Sequence, residues 1–208
     1  MGRLLAGLLL TACLSLPLEA TSRSSHILLE TSLGDILIEL NHPRAPLTAA
    51  RIAEVAADGH YDGLIFHRVI PGFVAQAGGF TERLRPRSMD QTIVNESGNG
   101  LRNQRGTVAL ARGDDPHSGN AQFYINLDDN ESLDPSPRRW GYAVFGRVVA
   151  GMDVVDAMAD IPTGSRGRLP SDVPEENIVI TQARALDRDT ALEWIIAWEE
   201  AQAEEGQD

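Results

Sequence analysis

Apolar residues between His26 and Ala183 come in short runs, each closed within a few positions by Gly, Pro, Asn or Asp, and this punctuation limits the fold more than any other feature of the chain. Runs of roughly four to eight residues have the length of strands rather than helices. Residues 26–31 form the first, a Ser32-Leu33-Gly34-Asp35 turn follows, and residues 36–40 return with Ile36, Ile38 and Leu40 on one face, as the two-residue side-chain period of a strand requires. Residues 64–69 and 73–76 make a second pair across Pro71-Gly72, and further runs occupy 107–111, 122–127, 142–149 and 177–183. Helical spacing shows in two places, from Leu47 through Ile52, Val55 and Ala56 to Gly59, and over 151–158. Eight or so strands with two helices predict a mainly β fold, an eight-stranded antiparallel closed barrel capped by two α-helices.

Two segments stand apart from this body. Residues 1–20 read as a leader: Arg3 precedes a short apolar run from Leu4 to Leu10 that is too brief to span a bilayer. Leu10-Thr11-Ala12-Cys13 resembles a bacterial lipobox, in which the cysteine is lipidated and becomes the new N-terminus. Cys13 is the only cysteine, so it has no partner in the chain for a disulfide. The alternative is an ordinary signal peptide cleaved after Ala20, with Cys13 discarded. Both readings place the protein in a bacterial cell envelope, periplasmic, and the first anchors it to a membrane through Cys13. At the other end, residues 187–208 hold eight acidic residues against one arginine, out of a net charge of −12. Asp189 or Thr190 can cap a helix there, with Leu192, Ile195, Ile196 and Trp198 as its apolar face and Trp194 on the same side as Trp198. The expected division is a leader (1–20), one domain (26–186) and an acidic C-terminal helix and tail (187–208).

Several chemistries lack a starting point. The acidic balance disfavours nucleic acid. The five histidines, His26, His42, His60, His67 and His117, are scattered and no cysteine pair exists, so no metal site is expected. No phosphate-cradling Gly-rich loop and no G-x-S-x-G elbow is present, and no cofactor is implied. Asn95-Glu96-Ser97 and Asn130-Glu131-Ser132 match the glycosylation sequon but are expected to stay unmodified.

The segment Phe66-His67-Arg68-Val69-Ile70-Pro71-Gly72-Phe73-Val74-Ala75-Gln76-Ala77-Gly78-Gly79 resembles the core motif of the cyclophilins. Gly106 to Arg112, Asn120 to Asn126 and Tyr142 to Val148 follow in that family's order, so the resemblance covers roughly 26–183. It implies the same capped eight-stranded barrel, and peptidyl-prolyl cis-trans isomerase activity on exported, proline-containing polypeptides, assisting their folding, by a monomer. It further implies Arg68 as the catalytic residue, with Phe73, Val74, Gln76, Ala111, Arg112, Gln122, Tyr124, Leu133 and Tyr142 lining the substrate groove. Strict alternation puts Phe66, Arg68 and Ile70 on one face of their strand, whereas Phe73, Val74 and Gln76 cannot all share one, so a bend or bulge is expected near the pocket.

Four positions depart from the commonest pattern. Ser132 stands where many members have Trp or Phe, and Tyr124 where most have Phe. Tyr142 and Arg112 replace the His and Asn of many eukaryotic members, as in bacterial ones. Strong cyclosporin binding is therefore not expected, and activity is expected to be present but reduced. The competing reading is a non-catalytic chaperone or scaffold that holds proline-containing segments. A small-ligand carrier would need an open interior, which faces rich in Leu, Ile, Val and Phe would fill.

Overall fold

The computed structural model describes residues 23–205; the leader and Cys13 lie outside them. In chain order the elements are β1 (His26–Thr31), β2 (Gly34–Leu40), α1 (Pro46–Ala57), β3 (Leu64–Ile70), β4 (Val74–Thr81), β5 (Thr107–Leu110) and β6 (Phe123–Asn126). A single 3-10 turn (Glu131–Leu133) leads to β7 (Val144–Ala150), α2 (Met152–Asp160), β8 (Thr163–Arg166), β9 (Leu169–Pro174), β10 (Val179–Leu186) and α3 (Arg188–Glu205). Eight strands close an antiparallel barrel in the order β1-β10-β3-β4-β6-β5-β7-β2. Closure leaves no unpaired strand edge in the main sheet.

The interior is filled, as the apolar runs require. Ile27, Leu29, Ile36, Ile38, Phe66, Val108, Ile125 and Phe145 belong to one buried cluster. Phe123 takes the edges of two neighbours, Tyr61 at 5.4 Å and Phe66 at 6.3 Å between ring centres, the T-shaped geometry that aromatic quadrupoles favour. α1 adds Ala49, Ile52, Val55 and Ala56 to the same core, and α2 adds Val155 and Met158. α1 has no cap from its own N-terminal side chains. Glu96 supplies one from a distant loop: its carboxylate accepts the Leu47 and Thr48 N–H groups at 3.1 and 2.8 Å and the Thr48 hydroxyl at 2.7 Å. A carboxylate there satisfies free donors and complements the helix dipole. α2 is preceded by Gly151, where φ is +80° and a Cβ would lie 2.0 Å from the Asp35 carbonyl oxygen, so the chain can turn there only with glycine.

α3 docks on the outside of the wall. Ala191, Trp194, Ile195 and Trp198, spaced i, i+3, i+4, i+7, meet Leu28, Leu37, Ala150 and Leu186. Leu28 and Leu37 point away from the barrel interior yet are fully buried, because the helix covers them. The Trp194 and Trp198 rings stack at 6.1 Å. The face differs from the one read in the sequence: Leu192 and Ile196 are 47% and 57% exposed, since they sit about 100° round the helix from Ala191 and Ile195.

The hairpin β8–β9 was not anticipated. It stands outside the barrel and packs along β3. Val173 anchors it in full burial, and the Arg166 guanidinium ties its base by donating to the Pro174 carbonyl at 2.6 Å and the Asn177 side chain at 2.8 Å.

Candidate active site

Turn chemistry and a shift of register aim the central side chain of the site. Along β3 and β4, Phe66 pairs with Ala77 but Arg68 pairs with Gln76, so β3 spends one extra residue at His67. A bulge of this kind reverses the facing of the side chains beyond it. Phe66 and Val69 accordingly both enter the core, while Arg68 turns outward at 38% side-chain exposure. Strict alternation puts Phe66 and Arg68 on one face, and the bulge overturns that. The bend expected near the pocket is present, but on the strand before it; Phe73 itself lies in the turn and β4 begins at Val74.

Arg68, Phe73, Val74, Gln76, Ala111, Arg112, Tyr124, Leu133 and Tyr142 line one open groove of about 370 Å³. Its floor is apolar: Val74, Ala109, Ala111, Tyr124 and Val144 form a small buried cluster with Phe73, Leu101, Leu133 and Tyr142 packed on it. The Arg68 guanidinium stands 5.9 Å from the centre of the Phe73 ring, with Asp172 on β9 as its ion-pair partner at 3.6 Å. Gln122 does not join the lining. Its side chain accepts a hydrogen bond from the Gln76 amide at 3.2 Å, and its carbonyl accepts the Ala111 N–H at 2.9 Å. It therefore reaches the groove only through those two residues. Gly79 makes room for it, since a Cβ there would fall 2.5 Å from the Gln122 carboxamide carbon.

Arg112 is already employed. Its guanidinium donates to the carbonyls of Gly113 (2.9 Å) and Trp140 (3.0 Å) and lies 4.6 Å from the centre of the Tyr142 ring. Its hydrogen bonds thus fasten two loops at the groove's rim, and it offers a stacked plane more than free donors.

Behind the floor runs a buried polar network that sequence reasoning missed. The Tyr124 hydroxyl donates to Asn103 Oδ1 at 2.8 Å, and the Asn103 amide donates to Asp134 at 3.0 Å. Asn126 donates to Thr107 Oγ1 at 2.9 Å and reaches Asn103 at 3.4 Å. Asn130 donates both to Asn126 and to the Phe73 carbonyl, each at 2.8 Å. The hydroxyl that distinguishes Tyr124 from Phe thus has a partner, and burial raises the phenol's pKa well above its ordinary value, so it remains a donor. Asn130 and Asn95, the two sequon asparagines, are buried and hydrogen-bonded. His67, beside Arg68 in sequence, packs on Phe80 at 4.7 Å between ring centres. Burial pushes its pKa down to about 4, with the Arg68 charge adding to the shift, so at neutral pH it is uncharged. Among the described residues no cluster of His, Cys, Asp or Glu could hold a metal ion.

A closed eight-stranded barrel with an arginine beside an apolar, glutamine-flanked groove defines a class, and comparison with known proteins gives it a family. Residues 26–185 match the model for cyclophilin type peptidyl-prolyl cis-trans isomerases. Peptidyl-prolyl cis-trans isomerases of similar sequence include one from Streptomyces antibioticus, 50% identical over 165 residues (78% of this chain, 99% of the relative). Isomerase B of Escherichia coli is 44% identical over 153 residues (72% and 93%), and isomerase A of Dickeya dadantii 41% over 172 (83% and 90%). The fold is shared with a Cryptosporidium parvum cyclophilin crystallised in the presence of the dipeptide Ala-Pro (TM-score 0.63, 21% identity, 78% of this chain and 99% of that one). It is also shared with a cyclophilin from Hirschia baltica (TM-score 0.62, 23% identity, 78% and 74%). The chain belongs to the cyclophilin family and is a peptidyl-prolyl cis-trans isomerase.

Proposed function

We propose that the groove binds proline-containing segments of exported polypeptides and that Arg68 drives rotation of the X-Pro bond, so that the protein assists folding in a bacterial cell envelope. The observation that carries the site assignment is the meeting of one guanidinium with an apolar floor in a single open groove. Amide resonance sets a barrier of about 18–20 kcal/mol. Only interactions stronger at the twisted amide than at the planar one lower it. As the bond twists, the prolyl nitrogen regains its lone pair, and a donor placed there stabilises that state alone. A hydrogen bond to a charged donor contributes about 1.5–3 kcal/mol, or roughly 10- to 150-fold in rate. The rest comes from holding: the pyrrolidine ring rests against Phe73, Val74, Tyr124 and Leu133, while Gln76 and the backbone at Ala111 fix the main chain. Gln122 acts through those two, and Arg112 and Tyr142 wall the rim.

The Ala-Pro dipeptide accompanying the Cryptosporidium parvum relative supports a proline-peptide ligand. The exported setting rests on the leader and on the lipobox-like 10–13, with Cys13 lipidated and the domain acting as a monomer. Mass spectrometry of the mature N-terminus separates lipidated Cys13 from cleavage after Ala20, and sedimentation of the purified protein tests the monomer. The catalytic assignment is tested with the cis-to-trans rate of a short Ala-Pro peptide. Arg68→Ala is expected to lose most of the acceleration with an unchanged circular dichroism spectrum; retained catalysis would remove Arg68 from this role. Tight peptide binding by wild type with no acceleration would favour a holding protein instead.

A further inference from the structure

The hairpin β8–β9 carries a residue whose conformation needs explaining. Asp172 has φ +62°, a left-handed backbone found at only one other non-glycine residue among those described, Leu84. Side chains in that region are strained, asparagine and aspartate least so. The strand around Asp172 is also irregular: Gly164 pairs with Val173 but Arg166 with Leu169, so β9 carries two extra residues between these pairs. Bulges re-aim side chains and are frequent beside active sites. Here the re-aimed group is a carboxylate directed at the one guanidinium in the groove that has no carbonyl partner.

We propose that Asp172, steadied by Ser171, is a positioning residue for Arg68, which makes the β8–β9 hairpin part of the catalytic apparatus; this rests on Arg68 being the donor. Asp172 Oδ2 stands 3.6 Å from Arg68 Nε and accepts the Ser171 hydroxyl at 2.9 Å. Val173, the next residue, is fully buried and fixes the backbone behind the carboxylate. On its other side the guanidinium faces the Phe73 ring. An arginine side chain has many rotamers to lose, and one that is 38% exposed would sample them freely unless held. A carboxylate at Nε narrows that freedom and leaves both terminal nitrogens for the substrate. Orientation fixed before the reaction need not be paid at the transition state.

Asp172→Asn is the discriminating change, because asparagine tolerates the left-handed backbone and has the same shape, and only the charge is removed. With the purified protein and an Ala-Pro peptide, kcat is expected to fall five- to tenfold with KM and melting temperature unchanged. Ser171→Ala should lower kcat by less. Because the pair is part-exposed and screened by ions, wild-type kcat should fall towards that of Asp172→Asn as sodium chloride is raised, while the variant stays flat. Asp172→Glu should recover part of the loss. An Arg68→Ala variant measured alongside separates the two failures. If it is inactive and Asp172→Asn stays within twofold of wild type, the positioning role is overturned and Arg68 keeps its own. If Arg68→Ala is active, both assignments fall. A loss in Asp172→Asn that comes with a lower melting temperature or a raised KM would also overturn the proposal, by making Asp172 merely structural.

Discussion

Replacing Tyr124 by phenylalanine removes one oxygen from the wall between the groove and the polar network behind it. In wild type that hydroxyl donates to Asn103 Oδ1 at 2.8 Å in full burial. A hydrogen bond of this kind contributes about 0.5–1.5 kcal/mol net, and stranding a buried acceptor costs about 1–3 kcal/mol. Asn103 Oδ1 is not wholly stranded, because the Asn126 amide still reaches it at 3.4 Å. The expected destabilisation is therefore about 1–1.5 kcal/mol, close to the net value of the bond. At about 2–4 °C per kcal/mol for a chain of this size, the melting temperature should drop by roughly 2–6 °C. Urea titrations should show a lower midpoint with an unchanged slope. The ring that faces the proline is retained, so kcat/KM should stay within about twofold of wild type. Asn103→Ala should cost more, since it also breaks the contact with Asp134, and the double variant should be less destabilised than the two single losses combined. A Tyr124→Phe protein as stable as wild type would refute the reasoning, by showing that the hydroxyl gains nothing from Asn103.

Burial and steric fit set two further outcomes. His67 binds a proton at about pH 4 in the fold against 6.5 when unfolded, so between these values the unfolded chain holds more protons; its contribution is complete above about pH 6.5 and is lost as the pH falls to about 4, on the order of 3 kcal/mol. Burial also lowers the pKa of His60 and His26 and steepens the same trend; His67→Asn should flatten much of it in urea titrations run across that range, and an unaltered slope would place the titrating group elsewhere. Gly151→Ala must set a Cβ against the Asp35 carbonyl in a left-handed backbone, so it should lose about 3 kcal/mol or more; a variant melting within about 2 °C of wild type would show that the turn yields.

The barrel was legible because its strands face a filled interior, so that Ile36, Ile38 and Leu40 mark β2 by period alone. Alternation failed where a residue was inserted, at His67, since a bulge leaves no compositional trace and yet decides which way Arg68 points. The β8–β9 hairpin gave no strand signal, because Gly164, Gly167, Pro170 and Pro174 interrupt any alternating run; a proline-bearing strand survives there because the hairpin stands outside the barrel ladder. Motif order brought nine of the ten groove residues to one place, but spacing could not show that Gln122 stands a step away. Asn103, Asn126 and Asn130 gave no signal either, because an asparagine in or beside a loop looks like turn chemistry whether its side chain meets water or a buried partner. The apolar face of α3 was misjudged by one position, since helical periodicity identifies a stripe but the neighbouring wall chooses its centre.

The ring order of the strands has a practical side. β1 begins at His26 beside Leu186, the end of β10, so the chain enters and leaves the barrel at neighbouring points. β6, which carries Tyr124, stands four places round the ring from β1. A bead, a sensor chip or a fused protein attached ahead of β1 therefore joins the barrel at the wall opposite β6, and a bulky client can approach Tyr124 from the other side.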